Sequence, residues 1–390
     1  MNFARHSDLK MIKNIINKIG SPKIFVYTNI WLIILVFIGT IAQKDLGLYL
    51  VQKEYFYPWI TWLGILPTPS VKLAMVVLTI NLSCYFVKPG IWRLKKIGIT
   101  ITHCGVMLIL IGSGLTYYFS DEGNMIIDEG GRSNYYENFY NKELAIINTS
   151  DKNYDLYTVF DEKDFYSNNV LSDSSLPFDI TVIDYLVNCK PANRLFDADE
   201  NFKGMAKNIY LQEIPSEKNY EHNRPGIIYE INNSLIDEIN GIYMLFLGQS
   251  IPSSIIVDKV EFEFRLRPKR TFLPFEIELI DFKKVMHPGT EVAKSFSSTI
   301  NLIDNDVTRK VLIKMNEPLR HYDYTFYQAS FIEEGDEETT VLATVKNYGR
   351  MFPYISSIIM CIGILVHLLV MALSNRRRKN VEGIIVPQLD

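Results

Sequence analysis

Two histidines, His103 and His367, stand inside apolar runs long enough to cross a bilayer (98–118 and 352–373), in the stretches "ITHCGVMLILIGSGL" (101–115) and "IIMCIGILVHLLVMAL" (358–373). An ionisable side chain at such depth is costly and turns toward protein or water rather than lipid, so it marks a candidate functional site. The plainer account is a neutral imidazole bonded across a helix interface. Both histidines lie near a basic end of their run. His103 is seven residues past Lys96 and His367 nine before Arg376, about 10 Å and about 13 Å at helical rise. Two neutral imidazoles at a similar level, without carboxylates, suit a low-spin haem iron, which needs one or two axial ligands. They suit zinc less, because zinc takes four ligands and usually thiolate or carboxylate among them. Cys104, next to His103, points elsewhere on a helix and is the lesser candidate. Gly98, Gly105 and Gly112 make a smooth stripe on one run, and Gly363 lies one turn from His367. Such stripes let helices approach closely and do not by themselves argue for a porphyrin.

Four apolar segments must position these groups: 24–42, 71–87 (short, beginning with Lys72, which can snorkel), 98–118 and 352–373. Each approaches the roughly 20 residues a span requires. Basic residues gather before the first segment (Arg5, Lys10, Lys13, Lys18, Lys23), between the second and third (Lys88, Arg93, Lys95, Lys96) and after the fourth (Arg376, Arg377, Arg378, Lys379). Four spans put all three groups on one side, which the positive-inside rule makes cytoplasmic. The expected order is a cytoplasmic N-terminus (1–23), a span, an outer loop (43–70), a span, a cytoplasmic loop (88–97), a span, an outer domain (119–351), a span and a cytoplasmic tail (374–390). The aromatic, uncharged stretch "YFYPWITWLGIL" (55–66) is expected to be a helix lying at the headgroups, with an apolar ledge for a partner or ligand as the other account.

The outer domain reads as β-rich. "EFEFRLRP" (261–268), "FEIELIDF" (275–282), "SFSSTINLI" (295–303) and "RKVLIKMN" (309–316) alternate with period two, and 324–347 looks like two strands joined by a Gly-Asp turn. Many short strands at this spacing predict an antiparallel sandwich or barrel-like domain. The polar stretch 186–225 is expected to be a helical or mobile insertion. The fold class is thus a membrane protein of four transmembrane helices, with a large β-rich extracytoplasmic domain between the third and fourth. With 48% hydrophobic and 22% charged residues, the chain is too charged to lie wholly in a membrane and too rich in apolar runs to be soluble.

Residues 119–350 hold 24 Lys or Arg against 39 Asp or Glu. That acidity makes nucleic acid a poor partner, and it reads either as a solvated surface or as a field steering a cationic partner. The cysteines Cys84, Cys104, Cys189 and Cys361 show no CxxC spacing. This excludes zinc-finger and thioredoxin-like readings, and Cys189 reads as an incidental buried thiol. His6, His222, His287 and His321 have no carboxylate or cysteine at ligand spacing and read as solvated, turn or strand residues. No GxSxG, HExxH, Walker A or GxGxxG motif stands in a plausible context, so no catalytic residue is assigned.

"IGTIAQ" at the end of the first run, the early histidine of "ITHCGVMLILIGSGL", "EGG" (129–131) and the stretch 287–331 together resemble the ResB-like (CcsB) family of System II cytochrome c biogenesis. The likeness is strongest at Asn316, Pro318, Leu319, Phe326, Tyr327, Gln328 and Ser330. It implies a subunit of a membrane cytochrome c synthase, working with a polytopic CcsA/ResC-like partner. The complex takes haem b from the cytoplasmic side, exports it and joins it to the CxxCH thiols of apocytochrome c outside. The resemblance makes His103 an axial iron ligand whose opposing ligand belongs to the partner. It gives no role to His367, which stays open as a second ligand, a relay or a packing residue. The partner's tryptophan-rich segment has no counterpart among Trp31, Trp59, Trp62 and Trp92, and the chain stops at Asp390, so catalysis alone is not expected. The implied location is a bacterial inner membrane with the domain in the periplasm, or a thylakoid with the domain in the lumen. A membrane b-type cytochrome and a haem-free anchored β-scaffold remain the alternatives.

Overall fold

Ser21 and Ser70 each open a helix in the computed structural model, which describes residues 2–151, 154–194, 200–234, 236–290, 292–334 and 337–384. Ser21 is extended, precedes Pro22 and accepts a bond from the Lys23 amide, while Ser70 accepts one from the Leu73 amide. Such caps satisfy donors that the first helical turn leaves free. The helices are α1 (Asn2–Ile19), α2 (Pro22–Val51), α3 (Val71–Phe86), α4 (Ile97–Phe119) and α5 (Phe352–Ile384). Together they make up a unit comprising Met1–Ser120 and Asn347–Asp390. Stretches within Lys10–Phe56, Leu94–Phe119 and Phe352–Asn375 are helical, long and apolar enough to cross a membrane. The fourth, α3, has 16 residues, about 24 Å of helix against a hydrocarbon layer of about 30 Å.

Hydroxyls inside these apolar helices return to the carbonyl one turn back, as Thr40 does to Val36, Thr79 to Met75 and Thr102 to Gly98. That bond is the cheapest partner where water is scarce. Asn81, buried in α3, donates to the Ile19 and Ser21 carbonyls at 2.5 and 3.1 Å and so pins the turn between α1 and α2. The aromatic stretch departs from the interfacial helix expected of it. After a π-helical turn at Gln52–Phe56, it forms a hairpin of β1 (Ile60–Leu63) and β2 (Leu66–Pro69). Pro58, Pro67 and Pro69 cannot sit in a helix interior, and Gly64 takes the positive φ of +64° that the turn requires. The Trp31 indole of α2 donates to the Pro69 carbonyl at 2.9 Å and holds the hairpin against that helix.

Helices α4 and α5 meet along the glycine stripe. A Cβ on Gly98 would strike the backbone of His367, one on Gly105 would strike Met360 and Ser356, and one on Gly112 would strike Phe352. From the other side, Gly363 admits Thr102. Close approach of this kind supplies the dispersion contacts that drive association where no hydrophobic effect operates between helices. Gly98→Val is therefore expected to part the helices at a cost of about 1–3 kcal/mol or more. Thermal unfolding in detergent checks this, with Gly114→Ala as the neutral control, since a Cβ there meets nothing within 4 Å.

The second unit, Asp121–Lys346, is all β. In chain order its strands are β3 (Asp121–Asp128), β4 (Arg132–Asn148), β5 (Leu156–Asp161), β6 (Val170–Leu171), β7 (Asp179–Leu186), β8 (Cys189–Asn193), β9 (Ile209–Glu213), β10 (Gly226–Asn232), β11 (Gly241–Phe246), β12 (Ser253–Val257), β13 (Val260–Met286), β14 (Ala293–Asp304), β15 (Val307–Lys314), β16 (Leu319–His321), β17 (Tyr324–Glu334) and β18 (Glu337–Lys346). One sheet of ten strands runs β15-β14-β13-β4-β3-β18-β17-β16, with β12 also on β13 and β5 on β4; a second runs β11-β10-β7-β6. The Gly-Asp turn expected between β17 and β18 lies outside the described residues. Among its described residues the stretch 186–225, expected to be a helical or mobile insertion, holds no α-helix, only short 3-10 turns at Gly204–Lys207 and Tyr220–His222. It carries the β8–β9 hairpin, whose Cys189 and Leu211 pack with Leu186, Ala206 and Met244 in a core of their own.

Strands β4 and β13 are long enough to serve two cores. Leu144 and Ile146 of β4, with Phe262, Phe264 and Leu266 of β13, face Ile180, Ile227, Tyr229 and Leu245 of the second sheet. Further along, Tyr136 of β4 and Leu273, Phe275, Ile277 and Leu279 of β13 pack with Met125, Ile300, Leu302, Phe326 and Leu342. The two strands read separately at 261–268 and 275–282 are thus one strand of 27 residues. Its register shifts fall between Pro268 and Arg270 and between Phe272 and Ile277, the bulges that let Pro268 and Pro274 stay in a sheet. Several polar groups in and beside these cores are paired. Arg267 meets Glu143 at 2.8 Å, and Gln328 joins Ser298 and Thr340 at 2.6 and 2.8 Å. Asp121 accepts from Tyr136, Asn138 and Thr271. Burial first, then the Asp121 carboxylate, hold the Tyr136 phenol protonated well above its ordinary range.

Candidate functional site

His103 lies in the second turn of α4, half-buried, with its ring stacked on Tyr85 of α3 at 4.5 Å between centroids and 19° between planes. Tyr85 meets Phe86 edge-on at 5.6 Å, and Phe86 lies 6.4 Å from Trp92. A line of aromatic rings thus leads to the imidazole. His103 Nδ1 is 2.7 Å from the Ile99 carbonyl. A carbonyl only accepts, so Nδ1 carries the proton and the Nε2 lone pair is left for another partner. Among the described residues no hydrogen bond engages Nε2. A metal-binding histidine is held in this way, one nitrogen fixed by a backbone carbonyl and the other offered.

His367 is placed differently. Its backbone packs against Gly98, five residues and about 7.5 Å along α4 from His103. The expected similarity of level therefore holds only to within about a turn and a half. Its Nδ1 is buried and has no hydrogen-bond partner among the described residues, and a buried polar atom of that kind calls for an explanation. His103 stands about 140° around α4 from Gly98, toward α3 rather than the α4–α5 seam. No hydrogen bond or ring contact joins the two imidazoles. Each offers an imidazole nitrogen, the donor type a haem iron takes, and no described cluster of three or more His, Cys, Asp or Glu could hold a metal ion.

Comparison with known proteins bears on the β unit. Residues 233–345 match the ResB-like family. That segment is similar to the ResB-like family. Protein NrfI of Wolinella succinogenes is 23% identical over 302 residues, which make up 75% of this chain and 29% of that relative. The chain therefore spans under a third of that relative's length.

The segment that matches the family runs from before β11 almost to the end of β18 and does not reach α4. The residues that carry the likeness act mainly in folding. Leu319 and Phe326 pair across β16 and β17 and are 4% and 0% exposed, and Gln328 is the centre of the buried network with Ser298 and Thr340. His321 corrects the sequence reading, because it does have a carboxylate partner. Asp304 Oδ2 lies 3.0 Å from its Nε2 and accepts from the Tyr322 hydroxyl at 2.8 Å. Seventeen residues and a change of strand separate the pair, so no local spacing shows it. Tyr85 was likewise not legible as a neighbour of His103, although a Tyr-Phe pair ending an apolar run just before Lys88 is the sort of signal that could have pointed to it. His222 is exposed beside Asn219, and His287 opens a turn closed by Thr290. His6 lies among residues whose side chains are outside the described set. Cys189 is buried, and desolvation pushes its thiol up to about 11. It is therefore a poor nucleophile at neutral pH, as an incidental thiol should be.

Proposed function

We propose that this chain is the haem-handling subunit of a membrane cytochrome c synthase. Three observations support the reading: the ResB-like segment, helices long and apolar enough to cross a membrane and, above all, the imidazole of His103 with Nδ1 tied to Ile99 and Nε2 free. In this proposal haem b enters from the cytoplasmic side, where the basic clusters lie, and His103 Nε2 is offered to its iron. His367 supplies a second nitrogen or a transient stop. A CcsA/ResC-like membrane protein brings the opposing ligand, and the pair deliver the haem to the CxxCH thiols of apocytochrome c on the outer face. No residue of this chain is assigned to bond formation. Its part is to bind, orient and pass on the cargo.

The unit Asp121–Lys346 would then lie outside, in the periplasm or a thylakoid lumen. Its net charge suits it to hold an apocytochrome, since a field of one sign raises encounter rates with a basic chain. Co-expression of this chain, a CcsA/ResC-like partner and a CxxCH apocytochrome is expected to yield covalently attached haem, detected on a denaturing gel, and omission of this chain is expected to remove it. Apocytochrome binding to the full chain in lipid discs should weaken as salt rises from 50 to 500 mM, toward the short screening lengths of about 3–10 Å. Covalent haem formed equally well without this chain would refute the role, and salt-independent binding would refute the electrostatic capture.

A further inference from the structure

Lys72 is the only lysine in the apolar run 71–87, and it stands at the mouth of a cavity of about 320 Å³ between α3, α4 and the turn at Gln52–Phe56. We propose that this cavity binds an anionic phospholipid, with an acyl chain in its apolar interior and the phosphate on the Lys72 ammonium. Phe56, Met75, Val76 and Leu110 supply apolar wall, and the volume is at the lower end of ligand pockets, which run from roughly 300 Å³ upward. At Gly114 a Cβ would meet no atom within 4 Å, so the absent side chain is part of the opening rather than a packing contact. The Lys72 ammonium lies 4.8, 5.1 and 5.7 Å from the rings of Trp59, Tyr117 and Tyr118 and 3.4 Å from the Tyr117 hydroxyl. No described carboxylate pairs with it. A cation held by ring faces and one neutral hydroxyl keeps its charge for an anion, and a girdle of Trp and Tyr is what membrane–water boundaries collect.

An apolar body ending in an anion is the chemistry of haem as well as of lipid. The lining favours lipid. No imidazole or thiol faces the cavity to take an iron, and Val76, Tyr117 and Tyr118 are 36%, 42% and 65% exposed on helices that a bilayer would surround. The site does not depend on the function proposed above.

Trp59 reports occupancy directly. The full chain is reconstituted in phosphatidylcholine vesicles carrying a few mole per cent of brominated phosphatidylglycerol or of brominated phosphatidylcholine. The quenching specific to Trp59 is taken as the difference from Trp59→Phe. The brominated phosphatidylglycerol is expected to quench about fivefold more effectively, the preference one lysine gives for an anionic headgroup. Lys72→Gln should erase that preference and Lys72→Arg should keep it. Gly114→Leu, whose side chain has room to enter the cavity, should lower quenching by both lipids. Equal quenching in the unaltered chain, or a preference that survives Lys72→Gln, overturns the proposal. So does a haem absorbance spectrum lost on Lys72→Gln, which would assign the cavity to haem instead.

Discussion

Replacing His103 with alanine is expected to abolish the haem absorbance of the purified chain, alone or with a CcsA/ResC-like partner. The expectation rests on an imidazole prepared in advance. Nδ1 is engaged by Ile99 at 2.7 Å, the ring is fixed against Tyr85, and the free lone pair already belongs to the tautomer an iron requires. Removing an outer partner of a metal-binding histidine commonly costs 10–100-fold in affinity, so removing the ligand itself should cost at least about that much. Tyr85→Ala should have the smaller effect of a lost support, and Tyr85→Phe, which keeps the stacked ring, should have almost none. Added imidazole should restore part of the spectrum to His103→Ala. His367→Ala tests the accounts of that residue, since a changed spectrum would make it a ligand and an unchanged one would leave it a relay or a packing residue. A spectrum indifferent to His103→Ala would remove the site.

The second large effect is expected in the β unit. Glu143 and Arg267 are paired at 2.8 Å, with side chains only 4% and 11% exposed. Cutting such a pair on one side leaves an unanswered charge in a low-dielectric interior and costs about 3–5 kcal/mol. Against a total stability of roughly 5–15 kcal/mol for a domain, Glu143→Ala should bring unfolding to markedly lower denaturant, followed through the β signal in circular dichroism. The double replacement Glu143→Met with Arg267→Leu removes both charges and keeps the volume, and it should be nearly neutral. A loss within about 1 kcal/mol for the single variant would mean that water reaches the pair.

How much of this was legible depended on whether the deciding contact was local. The apolar runs were readable because span length and charge exclusion are properties of consecutive residues. The same holds for β14 and β15, where alternation is unbroken. The hairpin at 60–69 reads as a helix from its aromatic content, and Pro58, Pro67 and Pro69 forbid that helix. Strand β13 looked like two because Pro268 and Pro274 interrupt the pattern, and only the bulges, set by pairing with β4, let it continue. Asp304 with His321 and Tyr85 with His103 are contacts that the fold creates between distant residues. No spacing rule reaches them. At His103 the sequence supplied the residue and its depth, and the structure added the proton on Nδ1.

The pairing of β3 with β18 has a consequence for how this chain is made. Asp121 stands opposite Lys346 and Asp128 opposite Thr339, so the first strand of the unit, which meets β4 on its other edge, gains its second partner only when the last has been synthesised. Until then one edge of β3 is bare. Closing so long a loop makes assembly slow, and an unpaired edge invites the wrong neighbour. The timing of synthesis, rather than final stability, is thus the exposed point of this molecule, and a chaperone acting on it would have to wait for residue 346.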